Sequence, residues 1–143
     1  MSDIPLTYNQ KLVIRWKKEH QEIVSSVGKI ADKYKANKQE TTKEELDNLY
    51  TLITTHLMSE DMEFYEFSMQ VEFLDEKTRN LIEEFVETFE ETKFAIMDFL
   101  TKYTLPNAVY NQEFIDVFKE LADVLEKRIS YEENNLYNAL QIK

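Results

Sequence analysis

The stretch Leu12-Val13-Ile14-Arg15-Trp16-Lys17-Lys18-Glu19-His20-Gln21-Glu22-Ile23-Val24-Ser25-Ser26-Val27-Gly28-Lys29-Ile30 decides the fold. Leu12, Trp16, His20, Ile23, Val27, Ile30 and then Tyr34 recur at steps of three and four. That is the period of one helical face, and it predicts a helix from about Tyr8 to Ala36. The same period returns three times. After the polar break Asn37-Lys38-Gln39-Glu40-Thr41, the segment Thr42-Lys43-Glu44-Glu45 reads as a capping box. The stripe that follows is Leu46, Leu49, Ile53, His56, Glu60, Phe64 and Phe67. A third helix is expected after an Asp75 cap, with Ile82, Phe85, Phe89, Thr92, Ile96, Phe99 and Tyr103 on one face. Thr104-Leu105-Pro106-Asn107 ends it, because proline cannot continue a helix. A fourth starts near Asn111, with the stripe Phe114, Val117, Leu121, Leu125, Arg128, Glu132 and Leu136.

Composition agrees with this reading. The 143 residues contain one glycine and two prolines, too few for the turns of a β-rich fold. Four stretches of about 30 residues, each about 45 Å long as a helix, cover one face apiece and can bury those faces only against one another. Short connections make neighbours antiparallel. The expected fold class is therefore all-α: an antiparallel up-down-up-down four-helix bundle forming a single domain over 1–143.

Charge narrows the function classes. A formal net charge of −11 argues against nucleic acid, which needs clustered Lys and Arg, and against anionic membrane surfaces. There are no cysteines, so disulfides, thiolate metal sites and iron–sulfur clusters are excluded. No apolar run approaches the ~20 residues that span a bilayer, and the N-terminal residues do not read as a signal peptide. A cytoplasmic protein is expected. The lone glycine, Gly28, lies within the first helix, so no phosphate-cradling loop is present.

The informative positions are polar residues on apolar stripes. His20, His56, Glu60, Arg128 and Glu132 stand out, with Thr92 a milder sixth; the two histidines are the only ones in the chain. Walking along antiparallel helices brings all six to one layer, within about a turn. Bundles build metal sites from such layers. His56 and Glu60 are four positions apart, one turn along the same face, so both can ligate one ion. His20 adds an imidazole from the neighbouring helix and Glu132 a carboxylate from the fourth. Two imidazoles and two carboxylates suit iron, manganese or zinc. The Glu-x-x-His motif of ferritin-like di-iron sites is absent at both histidines, since Lys17 and Ile53 occupy the required positions.

The segments Trp16-Lys17-Lys18-Glu19-His20, Thr55-His56-Leu57-Met58-Ser59-Glu60-Asp61 and Arg128-Ile129-Ser130-Tyr131-Glu132-Glu133-Asn134-Asn135-Leu136-Tyr137 together resemble the hemerythrin-like (HHE cation-binding) domain family. The resemblance covers nearly the whole chain. It implies a four-helix bundle around a non-haem di-iron centre that carries, stores or senses oxygen, or handles iron and nitric oxide. It matches His20 and His56 to terminal ligands of one iron, and Glu60 and Glu132 to bridging carboxylates. The second iron's histidine positions are taken here by Arg128 and Thr92, which leaves one iron's complement. A charge count points the same way. Glu60 and Glu132 against Arg128 leave room for one divalent ion, whereas two would leave a strongly positive core.

The expectation is one iron, with manganese or zinc as alternatives, held by His20, His56, Glu60 and Glu132. Arg128 and Thr92 stand beside the ligands or in place of a second metal. The implied function is oxygen or redox sensing, or metal handling, with dioxygen or another small diatomic molecule as ligand. Plainer readings stand beside it. Core histidines are often structural, Arg128 and Glu132 can form an intrahelical ion pair or a metal-free network with Glu60, and Glu133 reads as solvated. The whole layer then serves packing in a metal-free interaction or signalling module. Oxidase or peroxidase chemistry at the same centre is a third reading. Trp16, Phe64, Phe67, Phe85, Phe89 and Phe99 are expected in the core, and Glu83-Glu84 and Glu90-Glu91 on a solvated face.

Overall fold

The computed structural model describes residues 6–69 and 76–138, less the side chains of Asp61, Phe64, Tyr65, Phe67, Ser68, Met69, Thr78, Val86, Thr88 and Phe89. The expected Asp75 cap and the core placement of Phe64, Phe67 and Phe89 therefore lie outside the description. Among the described residues the chain is all-helical: α1 (Tyr8–Lys35), α2 (Gln39–Met69), α3 (Glu76–Tyr103) and α4 (Gln112–Tyr131), the last running on into a π-helical turn at Glu132–Leu136.

The helix ends follow from local chemistry. Thr7 and Gln10 form a capping box at the start of α1, each side chain accepting from the other's backbone N–H. At its end Asn37 adopts a positive φ of 58°, which asparagine tolerates better than most residues. The Lys38 and Asn37 amides then close back on the carbonyls of Lys33 and Tyr34, a Schellman ending. Because that turn is so tight, α2 begins at Gln39, one turn before the expected start. Thr42 is already inside the helix, its hydroxyl donating to the Lys38 carbonyl at 2.6 Å, so the expected capping box does not form. Glu45 instead accepts from Ser26 across the α1–α2 contact at 2.8 Å. Asn111 caps α4, its side chain accepting from the Phe114 amide.

Buried apolar side chains from all four helices form one cluster, with Trp16, Phe85, Phe114 and Tyr137 its largest fully buried members. The α1–α2 contact is the most extensive, and it pairs Ser26 with Glu45, His20 with His56, and Trp16 with Ser59. Further contacts join α2 to α3 and α1 to α4. The expected stripes are largely the buried ones, with one correction on α4. Val117 is 40% exposed, while Ile115 and Phe118 are buried. The α4 core face runs Phe114, Phe118, Leu121 and Leu125, which keeps the alternation of four and three that the Val117 assignment broke. Glu83, Glu84, Glu90 and Glu91 are exposed as expected.

Candidate metal centre

Four of the polar residues picked out by their stripes come together. His20 from α1, His56 and Glu60 from α2, and Glu132 from the π turn each offer a ligand atom, all within 4.8 Å of one another and all buried. This group could hold a metal ion. His20 Nε2 and His56 Nε2 face each other at 3.0 Å. Glu132 Oε1 lies 3.0 Å from His20 Nε2, and Glu60 Oε1 lies 2.5 Å from His56 Nε2 and 3.9 Å from His20 Nε2. Glu60 is fully buried, and its carboxyl shares a hydrogen bond with that of Glu132.

The outward ring nitrogens explain the inward ones. His20 Nδ1 donates to Glu133 at 2.8 Å, and His56 Nδ1 donates to Glu19 at 2.7 Å. An ionised carboxylate only accepts, so each Nδ1 carries a hydrogen. Each Nε2 is then left with a lone pair aimed into the cluster unless a second proton is added. Two such lone pairs 3.0 Å apart require a cation between or beside them, either a proton or a metal ion. Carboxylates on the far nitrogens of metal-binding histidines fix the tautomer and ring orientation in this way. Neither Glu19 nor Glu133 was marked from the sequence as a site residue, and Glu133, expected to be solvated, is a half-buried partner of His20.

Protonation shows the cost of leaving the cation out. Burial alone would lower the His56 pKa, but the Glu60 charge and the hydrogen bonds His56 donates to Glu19 and Glu60 outweigh it and hold it at about 9. Burial and the neighbouring His56 charge push His20 down. Burial and the adjacent Glu60 charge raise Glu132 well above the usual carboxylate range. Burial acts the same way on Glu60, yet the His56 imidazolium wins and keeps Glu60 ionised, its pKa lowered. The metal-free layer is thus closed by a proton on His56, which a metal would displace, with Glu132 biased toward its neutral form.

Tyr137 joins the cluster without having been singled out. Its hydroxyl donates to Glu60 Oε1 at 2.8 Å and lies 3.2 Å from His20 Nε2 and 3.5 Å from Glu132 Oε1. The reason is the π turn. In an α-helix a residue five positions on is rotated by about 140°, which would turn Tyr137 away from the face that carries Glu132. The wider turn closes with the Tyr137 amide on the Glu132 carbonyl and stacks the two residues instead. Such turns recur at functional sites. The Tyr137 ring stacks on His20 at 5.6 Å and meets Trp16 at 5.3 Å, while Trp16 Nε1 donates to Ser59 at 3.0 Å. These rings wall the polar cluster from the remaining core.

Arg128 and Thr92 lie to one side. The Arg128 guanidinium donates to the Phe85 carbonyl at 3.2 Å and sits 4.1 Å over the Phe85 ring. Burial lowers its pKa, offset in part by the charges of Glu132 and Glu60. Half-buried Thr92 shares with Arg128, Lys127 and Tyr131 the wall of a groove of about 370 Å³. Among the described residues, α3 supplies no member of the four-residue group.

Compared with protein families, with curated proteins and with solved structures, the chain matches none.

Proposed function

We propose that this chain is a hemerythrin-like metal-binding protein. It holds one iron ion, with manganese or zinc as alternatives, through His20, His56, Glu60 and Glu132, and serves oxygen or redox sensing or metal handling. The observation that carries the reading is the pair of Nε2 atoms facing each other at 3.0 Å, each ring fixed from behind by a carboxylate. The Glu60 carboxyl, fully buried and hydrogen-bonded to that of Glu132, adds a further oxygen donor. The pairs Ser26–Glu45, His20–His56 and Trp16–Ser59 ascend on one helix as they descend on the other, which supports an antiparallel arrangement and the hemerythrin-like fold.

Charge supports one ion rather than two. Glu19 is offset by Arg15, 3.2 Å away. Glu60, Glu132 and Glu133 against Arg128 leave a net −2 when all are ionised, which one divalent ion neutralises and a second would overshoot. The positions that would serve a second ion hold Arg128 and Thr92, neither of which is a ligand of the kind needed. Oxygen carriage of the family type, which uses two irons, is therefore the less suited role, and sensing or metal handling the better one.

The rival reading is a metal-free interaction module. The raised pKa of His56 favours it, because a proton closes the same network. Elemental mass spectrometry on untagged protein, grown with iron and without chelators, separates the two. About one equivalent of metal in the wild type and none in a folded His20→Ala/His56→Ala variant supports the metal site. No metal after anaerobic ferrous reconstitution leaves the module.

A further inference from the structure

The distances around the cluster can be set against those within a coordination shell. Two donors bound to one ion at about 2.0–2.1 Å are about 2.9 Å apart at a right angle, about 3.3 Å apart at the tetrahedral angle and about 4.1 Å apart across the ion. His20 Nε2 to His56 Nε2 and His20 Nε2 to Glu132 Oε1 are both 3.0 Å, which fits adjacent positions. His20 Nε2 to Glu60 Oε1, at 3.9 Å, fits opposite positions. The Tyr137 hydroxyl fits the same shell, at 2.8 Å from Glu60 Oε1, 3.2 Å from His20 Nε2 and 3.5 Å from Glu132 Oε1. Only the 2.5 Å contact between His56 and Glu60 must lengthen. The π turn brings the Tyr137 hydroxyl onto the Glu132 face while its ring and Leu136 stay in the core.

We propose that Tyr137 is a fifth protein ligand, bound through its phenolate oxygen, and that it makes the site selective for ferric iron over divalent ions. This rests on the metal-binding reading above. A phenolate is a hard, anionic oxygen donor, matched to a small trivalent cation. It adds one negative charge to a layer that a divalent ion already balances, so the ion that restores balance is trivalent. When the iron is supplied already oxidised no electron moves. The iron–oxygen bond forms, the Tyr137 O–H bond breaks, and the proton leaves to solvent.

The test loads wild-type, Tyr137→Phe and Tyr131→Phe proteins with ferric nitrilotriacetate, measures bound iron by mass spectrometry, and records visible absorption and resonance Raman spectra. The expected result is about one iron in the wild type with a visible phenolate-to-iron charge-transfer band. The Tyr131→Phe control keeps the band. Tyr137→Phe abolishes it, and weakens ferric binding tenfold or more while zinc binding changes less than threefold. Iron bound without the band, or a band that survives Tyr137→Phe, overturns the tyrosine ligand and leaves the metal site standing. No iron in the wild type overturns both. Should Tyr137→Phe fail to fold, ring-deuterated tyrosine in the wild type decides: isotope-shifted phenolate modes support the assignment, and their absence from an iron-loaded sample overturns it.

Discussion

Raising the pH should destabilise the protein when chelator keeps it metal-free. His56 has a folded-state pKa of about 9 against an ordinary 6.5. The native state therefore holds a proton that the unfolded chain gives up first. The stabilisation is fully present below about pH 6.5 and is lost as pH rises through about 9. The gap corresponds to about 3 kcal/mol, since each pKa unit is worth about 1.4 kcal/mol. Glu132, also raised by burial and the Glu60 charge, acts with the same sign, its contribution being lost progressively above the ordinary carboxylate range. Glu60, which is lowered, has its effect at acid pH and is settled by pH 6.5. Urea unfolding at pH 6.5, 8 and 9.5 with chelator should show stability falling by about 2–3 kcal/mol at constant m-value. The same series on His56→Phe should fall less, keeping only the part that Glu132 supplies. Wild-type stability that stays level or rises with pH would refute the claim that a proton stands in the cluster.

Other consequences follow from the same geometry. Metal binding near pH 7.5 should release at least the His56 proton; titration calorimetry in buffers of different ionisation enthalpy reads the number, and a value of zero contradicts the assignment. Glu133→Ala should leave the fold intact and weaken metal binding by about 10–100-fold, because it frees the far nitrogen of His20; competition against a chromogenic chelator measures this. Trp16→Ala should cost about 3–5 kcal/mol in chemical denaturation, since the indole is fully buried against Tyr137. Zinc or ferrous ion at a hundredfold excess over its dissociation constant should add about 2.7 kcal/mol of stability, seen as a higher melting temperature.

The stripes and the candidate ligand residues were legible because both rest on a simple period. Trp16, His20 and Ile23 fall on one face by counting, and so do Ile53, His56 and Glu60. What the period cannot show is a change of period. Tyr137 is five positions beyond Glu132, and α-helical counting sends it elsewhere; only the π turn stacks the two. Glu19 and Glu133 each adjoin a stripe residue, His20 and Glu132, and so read as flanking surface. Their roles depend on how the helices meet, with Glu19 reaching across to His56 and Glu133 to His20. The capping box at Thr42 misled for a related reason. The tight turn at Asn37 starts α2 a turn early, and a matching pattern inside a helix caps nothing.

The most direct test of the central claim is an anomalous-scattering crystal structure of the protein loaded with iron or zinc, with data collected on either side of the metal's absorption edge. A single metal site gives one peak, about 2.0–2.1 Å from both His20 Nε2 and His56 Nε2 and in contact with Glu60 and Glu132. Two peaks in the layer, or a loaded crystal whose only peaks lie at surface carboxylates, would contradict it.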